Sequence, residues 1–343
     1  MSPSPILSIS SLASPWRGAD PFLFMAHHLD LYPQGDGALA PVASLAGRQM
    51  GSDFANKDGW NMYHGERVPG FPAHPHRGFE TITVVTQGYV DHADSLGGKA
   101  RYGMGDVQWL TAGGGIMHSE MFPLLDANGP NTLNLAQIWL NLPAASKMSA
   151  PNFSMFWNED IPVVDEPGEV QVKVIAGAYG DATPLAPPPD SWAARPDADV
   201  AVWLVGIPAG ASWSLPAGAA GLSRSLHLLV GDAVEIEGTS LPARHTAQLR
   251  SEATLSITNR GEGDVQVLLL QGRPIGEPVA TYGPFVMNTP QQIQQAFADF
   301  QRTRFGDWPF PDGAPTHGDA AERFAVYPGG EESRPGDAAR AGA

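Results

Sequence analysis

The chain has 343 residues, no cysteine, and 20 Lys and Arg against 36 Asp and Glu, a formal net charge of −16 at pH 7. Without thiols there are no disulfides, thiolate zinc sites, iron–sulfur clusters or cysteine nucleophiles, so any metal must sit on His, carboxylate or water. The acidic balance works against direct nucleic-acid contact, while an apolar fraction of 43% is enough for a buried core and 39 Gly with 32 Pro imply many tight turns. In chain order, MSPSPILSISSL has neither a basic leader nor a long apolar core, and no later stretch approaches the roughly 20 apolar residues that span a bilayer. A soluble, cytoplasmic protein with no membrane partner is expected. Residues 1–66 read as short strands and loops, with a turn at Gln34-Gly35-Asp36-Gly37.

From Phe79 to Thr86 the chain is rich in β-branched residues and ends at Gln87-Gly88, a strand and its turn. Tyr89 to Asp94 alternates next, and Ser95-Leu96-Gly97-Gly98 turns the chain again. Further strands are predicted at 106–110, 116–122 and 136–142, the first two around a Gly113-Gly114-Gly115 turn. Strands at intervals near ten residues signal a sandwich or barrel. Residues 183–196 hold five prolines and read as a surface linker or long loop. Strand texture then resumes at 200–205, 225–230, 254–257 and 265–270, so the second half reads as another small barrel or sandwich. One helix is predicted after Thr289 as cap and Pro290 as first residue, with Ile293, Ala296, Phe297 and Phe300 on one face. Beyond Pro309 the Gly, Pro, Ala and charge-rich composition predicts disorder.

The chemistry concentrates between Phe71 and Phe122. His74-Pro75-His76 places two imidazoles two residues apart, and the intervening Pro favours an extended backbone that turns both rings to one face. His118-Ser119-Glu120 repeats the spacing with one imidazole and one carboxylate. Neighbouring strands would bring three nitrogens and one oxygen to a single point. Such a set suits Fe(II), Ni, Cu, Mn or Zn and leaves positions open for water or substrate. Glu80 lies four residues beyond His76, an even offset that makes it either a ligand or an acceptor behind one. His64, His92, His227 and His245 lack such partners and read as surface or satisfied core residues.

His74-Pro75-His76-Arg77-Gly78-Phe79-Glu80-Thr81, Asp94-Ser95, and Gly105 to Gly113 leading into His118-Ser119-Glu120 together resemble the pirin family of bicupins. Gly272 to Pro278 and Tyr282 to Asn288 resemble the family's ending, so the likeness runs from about residue 20 to 310. It implies an all-β fold of two antiparallel β-barrels (double-stranded β-helices) with a C-terminal helix. On this basis a metal-binding domain is expected over 1–142, a metal-free domain with the terminal helix over 143–310 and a disordered tail over 311–343. The second half offers no His-x-His, which agrees with a single metal.

The resemblance also implies one divalent ion, Fe(II) first, on His74, His76, His118 and Glu120. The ordinary cupin pattern would use Glu80 instead, so Glu80 stays open as an alternative ligand. Bacterial members are associated with quercetin 2,3-dioxygenase activity, which implies a flavonol and dioxygen as substrates, ring opening with loss of carbon monoxide, and Glu120 as base. Phe71, Trp109, Met121 and Phe122 could wall a pocket or simply pack the core, while Arg77 and Asp94 could orient ligands or pair on the surface. Eukaryotic members are associated with transcriptional cofactor roles, implying the alternative of a redox-dependent regulator with a protein partner. A metal that only stabilises the barrel is a third reading. A monomer is expected.

Overall fold

A computed structural model of the protein describes residues 4–11 and 16–337. It resolves into two compact units, and both are built from antiparallel strands, the all-β bicupin architecture expected. One unit comprises residues 27–138, 142–160 and 277–343. Its first sheet runs in the order Asn152–Phe156, Val107–Thr111, Phe79–Gln87, Asn131–Asn141, Phe22–Tyr32. Its second sheet runs Glu332–Ser333, Phe324–Val326, Lys99–Gly103, Tyr89–Asp94, Ile116–Met121, Gly70–His76. Val85, Val90, Tyr102, Leu110, Ile116, Leu133, Leu135 and Phe153 fill its core. The β-branched run predicted at 79–86 is buried from Phe79 to Val85.

The second unit comprises residues 1–26, 139–141 and 161–276. Seven strands, from Ile6–Ser11 through His245–Leu249, Ser223–Val230, Val265–Gly272, Ala201–Ile207 and Val170–Ala176 to Val163–Glu166, form one sheet. Ser212–Leu215, Leu255–Thr258, Ala233–Ile236 and Thr239–Pro242 form a smaller one. Period-two alternation does the sorting: Val170, Val172 and Val174 are buried while Gln171 is exposed. Trp203, Trp213, Leu226, Ile257 and Leu269 complete an apolar core. The proline-rich stretch is a loop with two short 3-10 turns, pinned by Trp192 Nε1 donating to Arg273 O at 2.8 Å.

The predicted helix spans Pro290–Thr303. Thr289 accepts from Gln292 N while the Gln292 side chain accepts from the Asn288 and Thr289 N–H groups, a capping box. Ile293 and Ala296 are buried against Phe285, Met287 and Phe305. Among the described residues no helix is long and apolar enough to cross a membrane.

Two boundary expectations need correction. The unit holding residues 161–276 also takes residues 1–26, because Ile6–Ser11 pairs antiparallel with His245–Leu249. The expected tail is ordered over 311–337: Phe324–Val326 pairs with Lys99–Gly103, and Arg323 bonds Asp106 at 2.7 Å and Glu159 at 2.5 Å. Composition suggested disorder because the segment has little to bury by itself; strand pairing and ion pairs supplied by distant residues hold it. The final stretch, 338–343, lies outside the described residues.

Candidate metal centre

Three adjacent strands carry the site. Gly70–His76 and Ile116–Met121 are antiparallel, with His74 opposite His118 and Phe71 opposite Glu120 across a bulge. On the other side of Ile116–Met121, Tyr89–Asp94 sets Asp94 opposite His118 and His92 opposite Glu120. Cross-strand partners share a face, so His74, His118, Glu120, His92 and Asp94 all project to the same side of this sheet.

The ligand atoms of His74, His76 and His118 lie within 4.8 Å of one another. His74 Nδ1 bonds Pro72 O at 2.8 Å and His76 Nδ1 faces Pro284 O at 3.4 Å. A carbonyl accepts only, so Nδ1 carries the hydrogen in both rings and Nε2 keeps its lone pair, the tautomer a metal needs. His118 is fully buried, and neither of its ring nitrogens has a hydrogen-bond partner. Such a pair of buried orphan nitrogens costs about 1–3 kcal/mol unless something takes the lone pair. Burial lowers the pKa of His74 to about 4 and drives those of His76 and His118 well below the usual imidazole range. All three rings are therefore neutral near pH 7, the form that ligates. The donor set fits a divalent metal ion.

Glu120 stands beside this triad. Its Oε2 is 3.7 Å from His118 Nε2, and both carboxylate oxygens accept from Gln137 Nε2, at 2.9 and 3.0 Å. Burial raises its pKa, opposed by the Gln137 bond. Of the four expected ligands, three form the cluster and Glu120 borders it. Glu80 is elsewhere: fully buried in the other sheet, it accepts from Thr111 Oγ1 at 2.7 Å. The even offset from His76 fails because the chain turns a corner at Gly78. There φ is +87°, and a Cβ would lie 1.9 Å from Val286 O, so only glycine fits. Lys147 Nζ donates to Gly78 O at 2.8 Å and Val286 O at 3.2 Å, fixing that corner.

The remaining candidates separate. Arg77 donates to Gly114 O and Asp299, anchoring the corner to the helix instead of orienting a ligand. Asp94 Oδ2 bonds His92 Nε2 at 3.0 Å while its Oδ1 accepts from Leu96 N and Gly98 N. Trp109, Met121 and Phe122 are core residues. Phe71, half-buried, lines a cavity of about 910 Å³ together with His74, His64, Glu66, Arg67 and Thr316. His227 is a buried core residue bonded to Ser225, whereas His64 and His245 bond local carbonyls at the surface.

Gln137 and His92 were missed as parts of the site. The signal for Gln137 was a polar residue in register with the inward Leu133 and Leu135. His92 becomes visible only through its pairing with Glu120. Its ring sits 5.6 Å from that of His118.

The Pirin family model matches residues 41–140, and the model for the pirin C-terminal cupin domain matches residues 202–306. The chain is 40% identical over 283 residues to a pirin-like protein of Caulobacter vibrioides, spanning 80% of this chain and 95% of that protein. It is 36% identical over 246 residues to Pirin-1 of Arabidopsis thaliana, spanning 69% and 78%. Among solved structures, quercetin 2,3-dioxygenase from Acinetobacter baumannii is similar with a TM-score of 0.67 and 30% identity, over 84% of this chain and 86% of that one. With the three-histidine cluster on its paired strands and both halves matched in order, the chain belongs to the pirin family.

Proposed function

We propose that the chain is a metal-dependent dioxygenase that opens the central ring of a quercetin-type flavonol, with Glu120 as general base. The observation that carries this reading is the convergence of three neutral imidazoles, one with both nitrogens orphaned, where His74 meets a cavity large enough for a planar phenol. The similarity to a structure named as a quercetin 2,3-dioxygenase supports the substrate class. A divalent ion on His74, His76, His118 and Glu120, Fe(II) first with Cu, Ni, Mn or Zn as alternatives, would supply Lewis acidity toward the flavonol 3-hydroxyl and an open position for dioxygen.

The protein's own part follows from its geometry. Phe71 offers the substrate rings an apolar face. Glu120 takes the proton of the 3-hydroxyl, and a carboxylate whose pKa is raised by burial is a stronger base than one in water. Gln137 keeps that carboxylate in one orientation. The backbone carbonyls of Pro72 and Pro284 hold His74 and His76 in the ligating tautomer. One flavonol and one dioxygen give the opened ester and carbon monoxide.

The test pairs elemental analysis with oxygen uptake on quercetin, for the wild type and His76→Ala. We expect bound metal and oxygen uptake matched by carbon monoxide release, both lost in the variant. A metal-loaded wild type that consumes no oxygen with any of a panel of flavonols overturns the proposal.

A further inference from the structure

The segment after Asp312 lies beyond residues 202–306, where the C-terminal family model ends, yet it is built into the metal-site unit. Gly313 O accepts from Ala73 N at 2.7 Å, on the edge strand that carries His74. At the Tyr89–Asp94 strand, His317 N donates to Asp91 Oδ2 at 2.9 Å, and its Nε2 bonds His92 O at 2.7 Å. The carbonyls of Gly318 and Ala320 accept from Arg101 on Lys99–Gly103, and Phe324–Val326 then pairs with that strand. From residue 317 the segment straps the face of the sheet opposite the histidines, while the stretch before it runs along the edge strand that carries His74. Its opening stretch, Asp312, Gly313, Ala314 and Thr316, lines the same cavity as Phe71 and His74.

Bonds at residues 313 and 317 hold the backbone on either side of Ala314 and Thr316. We infer that residues 312–316 are a specificity-determining wall of the cavity that opens at His74, setting the clearance with which a planar phenol approaches the cluster from that side. The inference rests on the proposed function for its substrate class, though the wall itself follows from the strap. Ala314 and Thr316 are half-buried residues of that wall, and enlarging either one narrows the cavity.

The experiment uses the full chain loaded with zinc, comparing wild type with Ala314→Trp and, as a second position, Thr316→Phe. Two probes are applied: quercetin, by quenching of protein fluorescence, and the planar phenolic chelator 4-(2-pyridylazo)resorcinol, by the concentration-dependent rate at which it withdraws zinc. We expect quercetin affinity and chelator rate each to fall at least about tenfold, the scale of a pocket contact, with zinc stoichiometry and melting temperature unchanged. Folded variants that match the wild type in chelator rate and quercetin affinity overturn the wall, even if quercetin is turned over. A slowed chelator with no quercetin binding by the wild type upholds the wall and removes the flavonol reading.

Discussion

Gln137 Nε2 donates to both carboxylate oxygens of Glu120, at 2.9 and 3.0 Å, from a strand of the opposite sheet of the same unit. This one amide both orients the expected base and offsets part of the cost of burying it. Gln137→Leu removes the donor while keeping most of the volume. Metal-free variant protein should lose about 1.5–3 kcal/mol at pH 7, the range for a hydrogen bond to a charged group. Metal-loaded variant should lose oxygen uptake on quercetin more than quercetin binding. Urea titration of the metal-free form checks the first statement, and unchanged stability there would assign Glu120 another partner.

His118 leads to an opposite expectation for stability. Its two ring nitrogens are buried without hydrogen bonds, so the imidazole is held at a cost that only a ligand repays. His118→Leu should abolish metal binding and raise the stability of the metal-free protein by about 1–3 kcal/mol. The wild type should gain melting temperature on metal addition, the variant none. Calorimetry with and without added metal distinguishes these cases; a metal-free variant less stable than wild type contradicts the account.

Burial lowers the pKa of His227, in the second unit's core, from 6.5 to about 3. The folded chain therefore refuses a proton that the unfolded chain accepts below pH 6.5. Its contribution is harmless above that pH and erodes stability by about 1.4 kcal/mol per pH unit as pH falls toward 3. His227→Gln should flatten that part of the stability profile by the same slope. Denaturant titrations at pH 6, 5 and 4 measure it.

Arg101 is fully buried, with two 2.6 Å contacts to the equally buried Asp91 and further bonds to the strap carbonyls. Arg101→Leu strands the Asp91 charge and should cost about 3–5 kcal/mol. The double variant Arg101→Leu/Asp91→Asn should recover part of that loss. A chain ending at residue 310 keeps this ion pair but bares it to water, and should lose stability in urea through the missing strap bonds and the missing Phe324–Val326 pairing.

Period-two spacing made the three-histidine cluster legible: His74 and His76 needed only an extended backbone, and His118 meets them from the paired strand, with Glu120 at the border. Glu80 was misleading because the offset rule assumes an unbroken strand, and the Gly78 corner moves it to another sheet. His92, Gln137 and the strap were hidden for a different reason. His92 and Gln137 join the site only through Glu120, and the strap only through Ala73, Asp91 and Arg101, and local composition carries no trace of such pairings. The same holds for Ile6–Ser11, whose partner strand begins at His245. The barrel texture and the capped helix, by contrast, are local properties and were readable directly.

Because Phe324–Val326 pairs with Lys99–Gly103 in the sheet that carries the histidines, that sheet stays incomplete in any nascent chain that has not yet reached residue 326. A ribosome that stalls after residue 306 would release a polypeptide with every histidine of the cluster but with Arg101 and Asp91 bare to water. Quality control that recognises exposed surface would see such a product as unfinished, so the histidine cluster and the strap far downstream of it reach their final state together.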